Sequence, residues 1–348
     1  MKRIWESGQL TNHGELSLEL AMKLKKYLEV DNIMLCNNGT VPLQLALRSL
    51  GSDYEVITTP FSYIATSAAI VWQNCKPIFV DIDEEYLCIN ESLVGQAITS
   101  KTKAILVTHV FGNPCNIEAL QEIATKYGLM LIFDAAHAFG VRYKGKSIFD
   151  FGDISTCSFH ATKLFHTAEG GAVFIKEESL RERLKLAANF GHTSQYEFDG
   201  MGINAKMSEL QAAMGLSVLP NMKEIIGHRK AVVEEYKKKI NWGQISTLRI
   251  REFTEWNYSY FPIIFEDSTM LHACIDELSK LDIFPRRYFY PSLNTVSYLS
   301  GMHMPVSEMI SERILCLPLS AEIDMADVHQ IVKIINTVVH KKILQLAG

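Results

Sequence analysis

"KAILVTHVFGNPCNIEALQEIATKYGLMLIFDAA", residues 103–136, reads as strand, helix, strand. "AILV" and "LMLIF" are short continuous apolar runs, as strands buried on both faces require. Between them Ile117, Leu120, Ile123 and Tyr127 recur one helical turn apart. Two buried strands joined by a helix run parallel, because the crossover returns the chain to the same edge before the second strand begins. The same alternation continues on both sides. "IMLC", "EVITT", "PIFVD", "ISTCSF" and "AVFI" read as further strands, and "VPLQLALRSL" and "IATSAAIVW" as further helices. The expectation is an α/β domain with a mostly parallel central sheet, whose chemistry gathers where strands end and loops begin.

After "AVFI" the pattern turns helical, through "EESLRERLKLAANFG" and "KMSELQAAMGLSVL" to "NMKEIIGHRKAVVEEYKKKI", a long helix charged on one face. That helix links a large domain, residues 1–240, to a small α+β domain, residues 241–348. The second domain is assembled from strand-like "YSYFPIIF" and helix-like "MLHACIDELSKL" and "ADVHQIVKIINTVVHKKIL". A chain of 348 residues exceeds the size at which one core stops growing, so two domains are the default.

The bulk numbers exclude several classes. Net charge is -5 and 21% of residues are charged, which leaves no basic face for nucleic acid. No apolar run reaches the roughly 18 residues of a membrane span, and "MKRIWESGQLTNHGELS" lacks the apolar centre of a signal peptide. A cytoplasmic protein is expected. Seven cysteines, odd in number and scattered through apolar segments, suit buried thiols better than disulfides. With no CxxC or HExxH pair, no metal site is expected.

Four strand-end stretches carry groups whose chemistry fits together. In "CNNGTVPLQLAL", Gly39 and Thr40 precede a helix whose amides and dipole can hold an anion, although a simple cap is the commoner use of such a sequence. In "TTPFSYIATSAAI", Tyr63 follows a proline-bounded strand end and can offer a flat face to an aromatic ligand; a packing tyrosine is the blander reading. "LMLIFDAAHAFG" delivers Asp134 to a buried strand end, where a carboxylate needs a cation or strong donors, or else serves as a helix cap. "SFHATKLFHTAEGG", residues 158–171, places Ser158, His160 and Lys163 ahead of Gly170 and Gly171; taken alone, its lysine would be read as solvated decoration. Together these match what pyridoxal phosphate needs: a Schiff-base lysine, a carboxylate for the pyridine nitrogen, a cradle for the phosphate and an aromatic face for the ring. The GxGxxG fingerprint of a nicotinamide enzyme is absent from the strand-to-helix turns.

With "NNGT", "TTPFSYIAT", "THVFGNPCNIEAL", "DAAHAFG", "SFHATKLFHTAEGGAV", "GINAKMSELQAAMGL" and "LPL" in that order, the chain resembles the DegT/DnrJ/EryC1/StrS sugar aminotransferases over nearly its whole length. The resemblance implies the aspartate aminotransferase-type fold and pyridoxal 5'-phosphate as cofactor. It puts the Schiff-base lysine at Lys163, the pyridine-nitrogen partner at Asp134 and the stacking aromatic at Tyr63. Phosphate contacts fall on Gly39, Thr40 and Ser158, and His137 lies beside the ring. Asn204 of "GINAKMSEL" matches an asparagine that reaches into the neighbouring subunit's site, which implies a homodimer with shared active sites. His160 and Glu169 are implied at the sugar end, and Arg286, Tyr288 and Asn294 around the nucleotide. Two departures from the family pattern are a short lead before "IWESGQLTNHG" and Asn294 where many members have histidine. Within the family, "ITTPFSYIATSAAIVW" and "RRYFYPSLNT" resemble members that transfer an amine from L-glutamate to C4 of dTDP-4-keto-6-deoxyglucose for O-antigen. Amination at C3 of a 3-keto-6-deoxyhexose nucleotide is the alternative, and a non-catalytic binding protein of the same fold is a third reading.

Overall fold

The computed structural model describes residues 1–299 and 301–347, with side chains as far as Lys341; Ser300 and Gly348, inside the expected second domain, lie outside the described residues. The stretch from 103 to 136 folds as strand Thr102–Thr108, helix Ile117–Tyr127 and strand Met130–Asp134, the two strands paired in parallel with Thr108 opposite Asp134. The Asn116 side chain accepts from the Ala119 N–H at the start of the helix, and Gly128, at φ 64, ends it in the left-handed conformation that glycine adopts without strain.

Seven strands form the main sheet, in the order Met34–Cys36, Gly171–Ile175, Ile154–Ser158, Met130–Asp134, Thr102–Thr108, Glu55–Thr58, Lys76–Phe79. The last five run parallel to one another, and Gly171–Ile175 runs antiparallel to both of its neighbours. No helix separates Ile154–Ser158 from Gly171–Ile175, so the chain turns back beside itself rather than crossing over. The Lys163 stretch is the connection between these two strands.

Alternate side chains of the sheet feed a core on each face. Leu131 and Phe133 pack with Leu20, Leu24 and Phe159 on one side, and Ile132 packs with Leu45, Ile70 and Leu106 on the other. Helix Glu15–Leu28, which the strand alternation does not announce, covers the first face with Leu16, Leu20, Leu24 and Leu28 at every fourth position. Its first amides are held by a distant carboxylate: Leu16 N and Ser17 N donate to the buried Glu209 at 2.7 and 2.9 Å.

Helix Met222–Lys239 belongs to two cores. Met222 packs with the large sheet, while Val232, Val233 and Tyr236 pack with Ile263, Phe265, Leu271 and Val328 in a second cluster. That cluster lies in an antiparallel sheet of Ile245–Ser246, Pro262–Phe265 and Ile314–Cys316, together with helices Ser268–Ser279 and Met325–Ala347. All seven cysteines are buried and free, and no described helix is long and apolar enough to cross a membrane.

Between the strands of this second sheet, the chain returns to the main sheet's core. Phe289 stacks on Phe111 with ring centroids 5.8 Å apart, and Leu293 N donates to the Pro60 carbonyl at 3.0 Å. Buried Asp81 caps helix Pro305–Arg313, accepting Val306 N at 2.9 Å, Ser307 N at 2.8 Å and the Ser307 hydroxyl at 2.6 Å. These contacts hold Arg286 and Tyr288 over the carboxyl ends of the parallel strands. Asp81→Ala strands those donors in a buried place, so the protein should lose roughly 1–3 kcal/mol of stability, the cost of leaving buried donors unpaired. Urea unfolding measures this, and an unchanged midpoint would show that the cap carries no weight.

Candidate active site

A cavity of about 360 Å³ opens at the carboxyl ends of the parallel strands, where Thr108, Asp134 and Ser158 each end or closely follow a strand and Tyr63 starts helix Ile64–Trp72. Of the residues expected at the site, Gly39, Thr40, Tyr63, Asp134, His137, Ser158, His160, Lys163, Glu169, Arg286 and Tyr288 all line it. The fold therefore gathers five separated stretches of sequence around one space.

Asp134 is its buried carboxylate. Oδ2 accepts the Thr66 hydroxyl at 2.7 Å and Oδ1 accepts Ala136 N at 3.1 Å. Burial pushes its carboxyl above the usual range, while the Thr66 hydroxyl, the Ala136 amide and the charge of Lys163 pull it back. Lys163 shows the opposite balance. Burial pushes its ammonium below the ordinary lysine value, the Asp134 charge holds it up in part, and Arg286 adds a further push down. Its Nζ lies 6.0 Å from the Tyr260 ring centroid. A lysine so placed carries more free amine near neutral pH than a solvated one.

His137 lies among rings, 4.4 Å from Tyr260 and 5.5 Å from Phe289 between centroids. Its Nδ1 accepts Phe111 N at 3.2 Å, which assigns the proton of the neutral ring to Nε2. Burial, then the charge of Lys163, pushes its pKa well below the ordinary value, so the ring stays neutral.

At the other end of the cavity a helix start and a strand end come unusually close. A Cβ built on Gly39 would lie 2.5 Å from the Ser158 hydroxyl, so only glycine lets the start of helix Thr40–Arg48 sit against that serine. Asn38, which the sequence does not single out, accepts both Thr40 N and Val41 N at 2.9 Å. The helix start thus carries its own cap, and the Thr40 and Ser158 hydroxyls remain on the cavity wall.

Towards the rim, His160 Nε2 lies 3.5 Å from Glu169, and Arg286 donates to the Tyr288 hydroxyl at 2.7 Å. Asn204 and Asn294 are the two expected residues that the structure places away from this cavity. Asn204 is exposed on the surface of its own chain. Asn294 is buried, and it accepts from Ser292 Oγ at 2.7 Å and donates to the Met302 carbonyl and to Glu308 at 3.1 and 2.6 Å. Its polar atoms are therefore used in holding a loop. Tyr260, Phe289, Ser62 and Thr108 complete the surroundings of Lys163 and Asp134; none was legible as a site residue, although Ser62 and Thr66 stand four apart in "PFSYIAT".

The chain belongs to the DegT/DnrJ/EryC1/StrS aminotransferase family, whose profile matches residues 1–336. It is 39% identical to dTDP-4-amino-4,6-dideoxy-D-glucose transaminase of Shigella dysenteriae, over 96% of this chain and 93% of that one. The Escherichia coli enzyme of the same name is 36% identical over the same shares. GDP-perosamine synthase of Escherichia coli O157:H7 is 34% identical over 90% of this chain and 87% of its own. Among solved structures, DesI in the presence of its TDP-sugar product superposes with a TM-score of 0.92 at 28% identity, over 99% of this chain and 90% of DesI. Spr1654 of Streptococcus pneumoniae in its PMP form gives a TM-score of 0.92 at 26% identity, over 99% and 95%, and it is also known in a PLP form.

Because cyanate reacts with the free amine, Lys163 should carbamylate at pH 7 ahead of the solvated lysines. Asp134→Asn, by removing the charge that holds the ammonium up, should speed this further. Peptide mass spectrometry over a time course reads both rates. A Lys163 that reacts no faster than exposed lysines, in either protein, would contradict the electrostatic description.

Proposed function

We propose that this chain is a pyridoxal phosphate-dependent aminotransferase that moves the amine of L-glutamate to the keto carbon of a nucleotide-linked 4-keto-6-deoxyhexose. The acceptor proposed is dTDP-4-keto-6-deoxyglucose and the product dTDP-4-amino-4,6-dideoxyglucose, made in the cytoplasm by a homodimer for O-antigen or another surface polysaccharide. The observation that carries the reading is the convergence of a depressed lysine amine, a buried carboxylate and the Gly39–Ser158 contact on one cavity. The transaminases at 39% and 36% identity support the choice of sugar.

The residues fit the cofactor. Where Gly39 approaches Ser158, a side chain larger than hydrogen would fill the space, and the Thr40 and Ser158 hydroxyls stand ready to donate to a phosphate. Asp134 has its Thr66 and Ala136 donors on two lone pairs and others free to hold a proton on a ring nitrogen. When bound, pyridoxal phosphate supplies a positively charged ring that draws electrons from the carbon bearing the amine. Lys163 supplies an amine that takes up and returns a proton beside that carbon, and its lowered pKa makes the free amine more accessible than in a solvated lysine. His137, kept neutral, and Tyr63 give the ring its flanks.

Glutamate leaves as 2-oxoglutarate before the keto sugar enters, so one site serves both halves and the kinetics should be ping-pong. Incubating the protein with cofactor, glutamate and dTDP-4-keto-6-deoxyglucose should yield 2-oxoglutarate and an amino sugar with nitrogen on C4 by NMR. Lys163→Ala should abolish turnover. Nitrogen on C3, or product only from another nucleotide sugar, would overturn the choice of substrate; an active Lys163→Ala would overturn the reading of the site.

The homodimer reading rests on the surface around Asn204. Tyr196, Phe198 and Met201 just before it are 81%, 63% and 73% exposed, large apolar side chains interspersed with Glu197 and Asp199 that a second copy would cover. In that arrangement Asn204 completes the cavity of the other chain. Mixed Asn204→Ala and Lys163→Ala subunits, each inactive alone, should recover activity in the heterodimer. Verified subunit exchange without recovery would show that each site is built from one chain.

A further inference from the structure

Behind Asp134, three hydroxyls stand in a row. Thr108 Oγ1 is 2.8 Å from Ser62 Oγ, Ser62 Oγ is 2.8 Å from Thr66 Oγ1, and Thr66 Oγ1 donates to Asp134 Oδ2 at 2.7 Å. All three residues are buried, Thr66 completely. Ser62 and Thr108 reach the cavity wall, whereas Thr66 does not. They come from two places in the chain. Ser62 and Thr66 flank the start of helix Ile64–Trp72, and Thr108 ends the strand beside that of Asp134.

A hydroxyl has one proton to give. With the Thr66 proton on Oδ2, Thr66 can only accept from Ser62, and Ser62 in turn can only accept from Thr108. The three bonds therefore point one way, toward the carboxylate. A proton on Oδ2 would reverse the row, so a row running this way keeps Oδ2 free of a proton and gives the ionised carboxylate a hydrogen bond. We propose that Thr66, held in line by Ser62 and Thr108, is a positioning residue that keeps Asp134 ionised and fixes the orientation of its carboxylate in the cavity. This rests on the reading of Asp134 as the partner of the cofactor's ring nitrogen.

The sign of the effect follows from the surroundings. Burial favours the neutral acid, and the Thr66 hydroxyl is the first of the groups opposing it, followed by the Ala136 amide and Lys163. Among the other titratable neighbours, Cys157 has a thiol that burial pushes up and out of the working range. His109 gives its backbone N–H to the Asp134 carbonyl, and its buried ring, pushed down to about 3, does not titrate near neutrality. His137 stays neutral over the same range. Loss of the Thr66 donor therefore raises the pH at which Asp134 takes a proton, and cofactor binding should fail earlier as pH falls.

The test titrates apoprotein with pyridoxal phosphate between pH 5 and 9, comparing Thr66→Val, Thr66→Ser, Ser62→Ala and Asp134→Asn with the parent, and records melting temperatures alongside. Thr66→Val, matched in shape, should weaken binding about tenfold or more, as expected for a lost hydrogen bond to an ionised group, and move the acid limb up by about one pH unit. Thr66→Ser, which keeps the hydroxyl, should stay within about twofold of the parent, against that tenfold loss. Should Thr66→Val fail to fold, Ser62→Ala must move the acid limb in the same direction by a smaller amount. An unmoved acid limb in both, or a Thr66→Ser protein as impaired as Thr66→Val, overturns the proposal. If Asp134→Asn binds with parental affinity and pH dependence, the reading of Asp134 itself has failed. If only Asp134→Asn is impaired, Asp134 stands and the role of the hydroxyl row falls.

Discussion

A carboxylate at the end of a strand buried on both faces is costly to bring out of water, and Asp134 is such a group. Everything that makes the site possible compensates that burial. The strand to one side contributes Thr108, the helix that follows the next strand contributes Thr66, and the turn after Asp134 itself contributes the Ala136 amide. The remaining charge is balanced across the cavity by Lys163, whose own burial costs are reduced by the same pair. Acid and amine thus each shift the other toward its charged form, on the acid's side after the Thr66 hydroxyl and the Ala136 amide.

Placing that amine requires an irregularity in the sheet. Were Ile154–Ser158 followed by a helix and another parallel strand, the chain would leave the carboxyl edge immediately. Instead it loops there and returns antiparallel, with Phe159 and Phe165 packed into the core on either side of Lys163. Phe159 N donates to the Gly170 carbonyl and Thr167 N to the Phe159 carbonyl, at 2.8 and 2.9 Å, so the base of the loop is tied to itself. A rigid connection at the strand ends gives a lysine a fixed position without a helix to carry it.

The strands, most of the helices and the Gly39, Tyr63, Asp134 and Ser158 parts of the cavity wall were legible in the sequence because they depend on local pattern, whereas His137, Glu169, Arg286 and Tyr288 came only from the family resemblance. Continuous apolar runs mark buried strands, and a charged or hydroxylic residue just after such a run must sit at a strand end. Helix Glu15–Leu28 escaped because it lies outside the alternation, and because the cap on its first amides comes from Glu209, far along the chain. Thr66 escaped for a similar reason: its partner Asp134 is 68 residues away, and a threonine inside "IATSAA" looks like filler. Asn294 shows the converse. Its place in "YPSLN" suggests a ligand contact, yet its amide is engaged by Ser292, Met302 and Glu308 once the loop closes.

That loop lies in the segment that ties the smaller sheet to the main one. Asp81 grips helix Pro305–Arg313 by two amides and a hydroxyl, and Phe289 packs against both Phe111 and His137, which also touch each other. Arg286 and Tyr288, on the same returning segment, are thereby fixed at the rim opposite His160 and Glu169. Arg286 is also among the charges that lower the lysine's pKa. An anion arriving against Arg286 would screen that charge and let the pKa of Lys163 rise, so that the rim is electrostatically linked to the amine it surrounds.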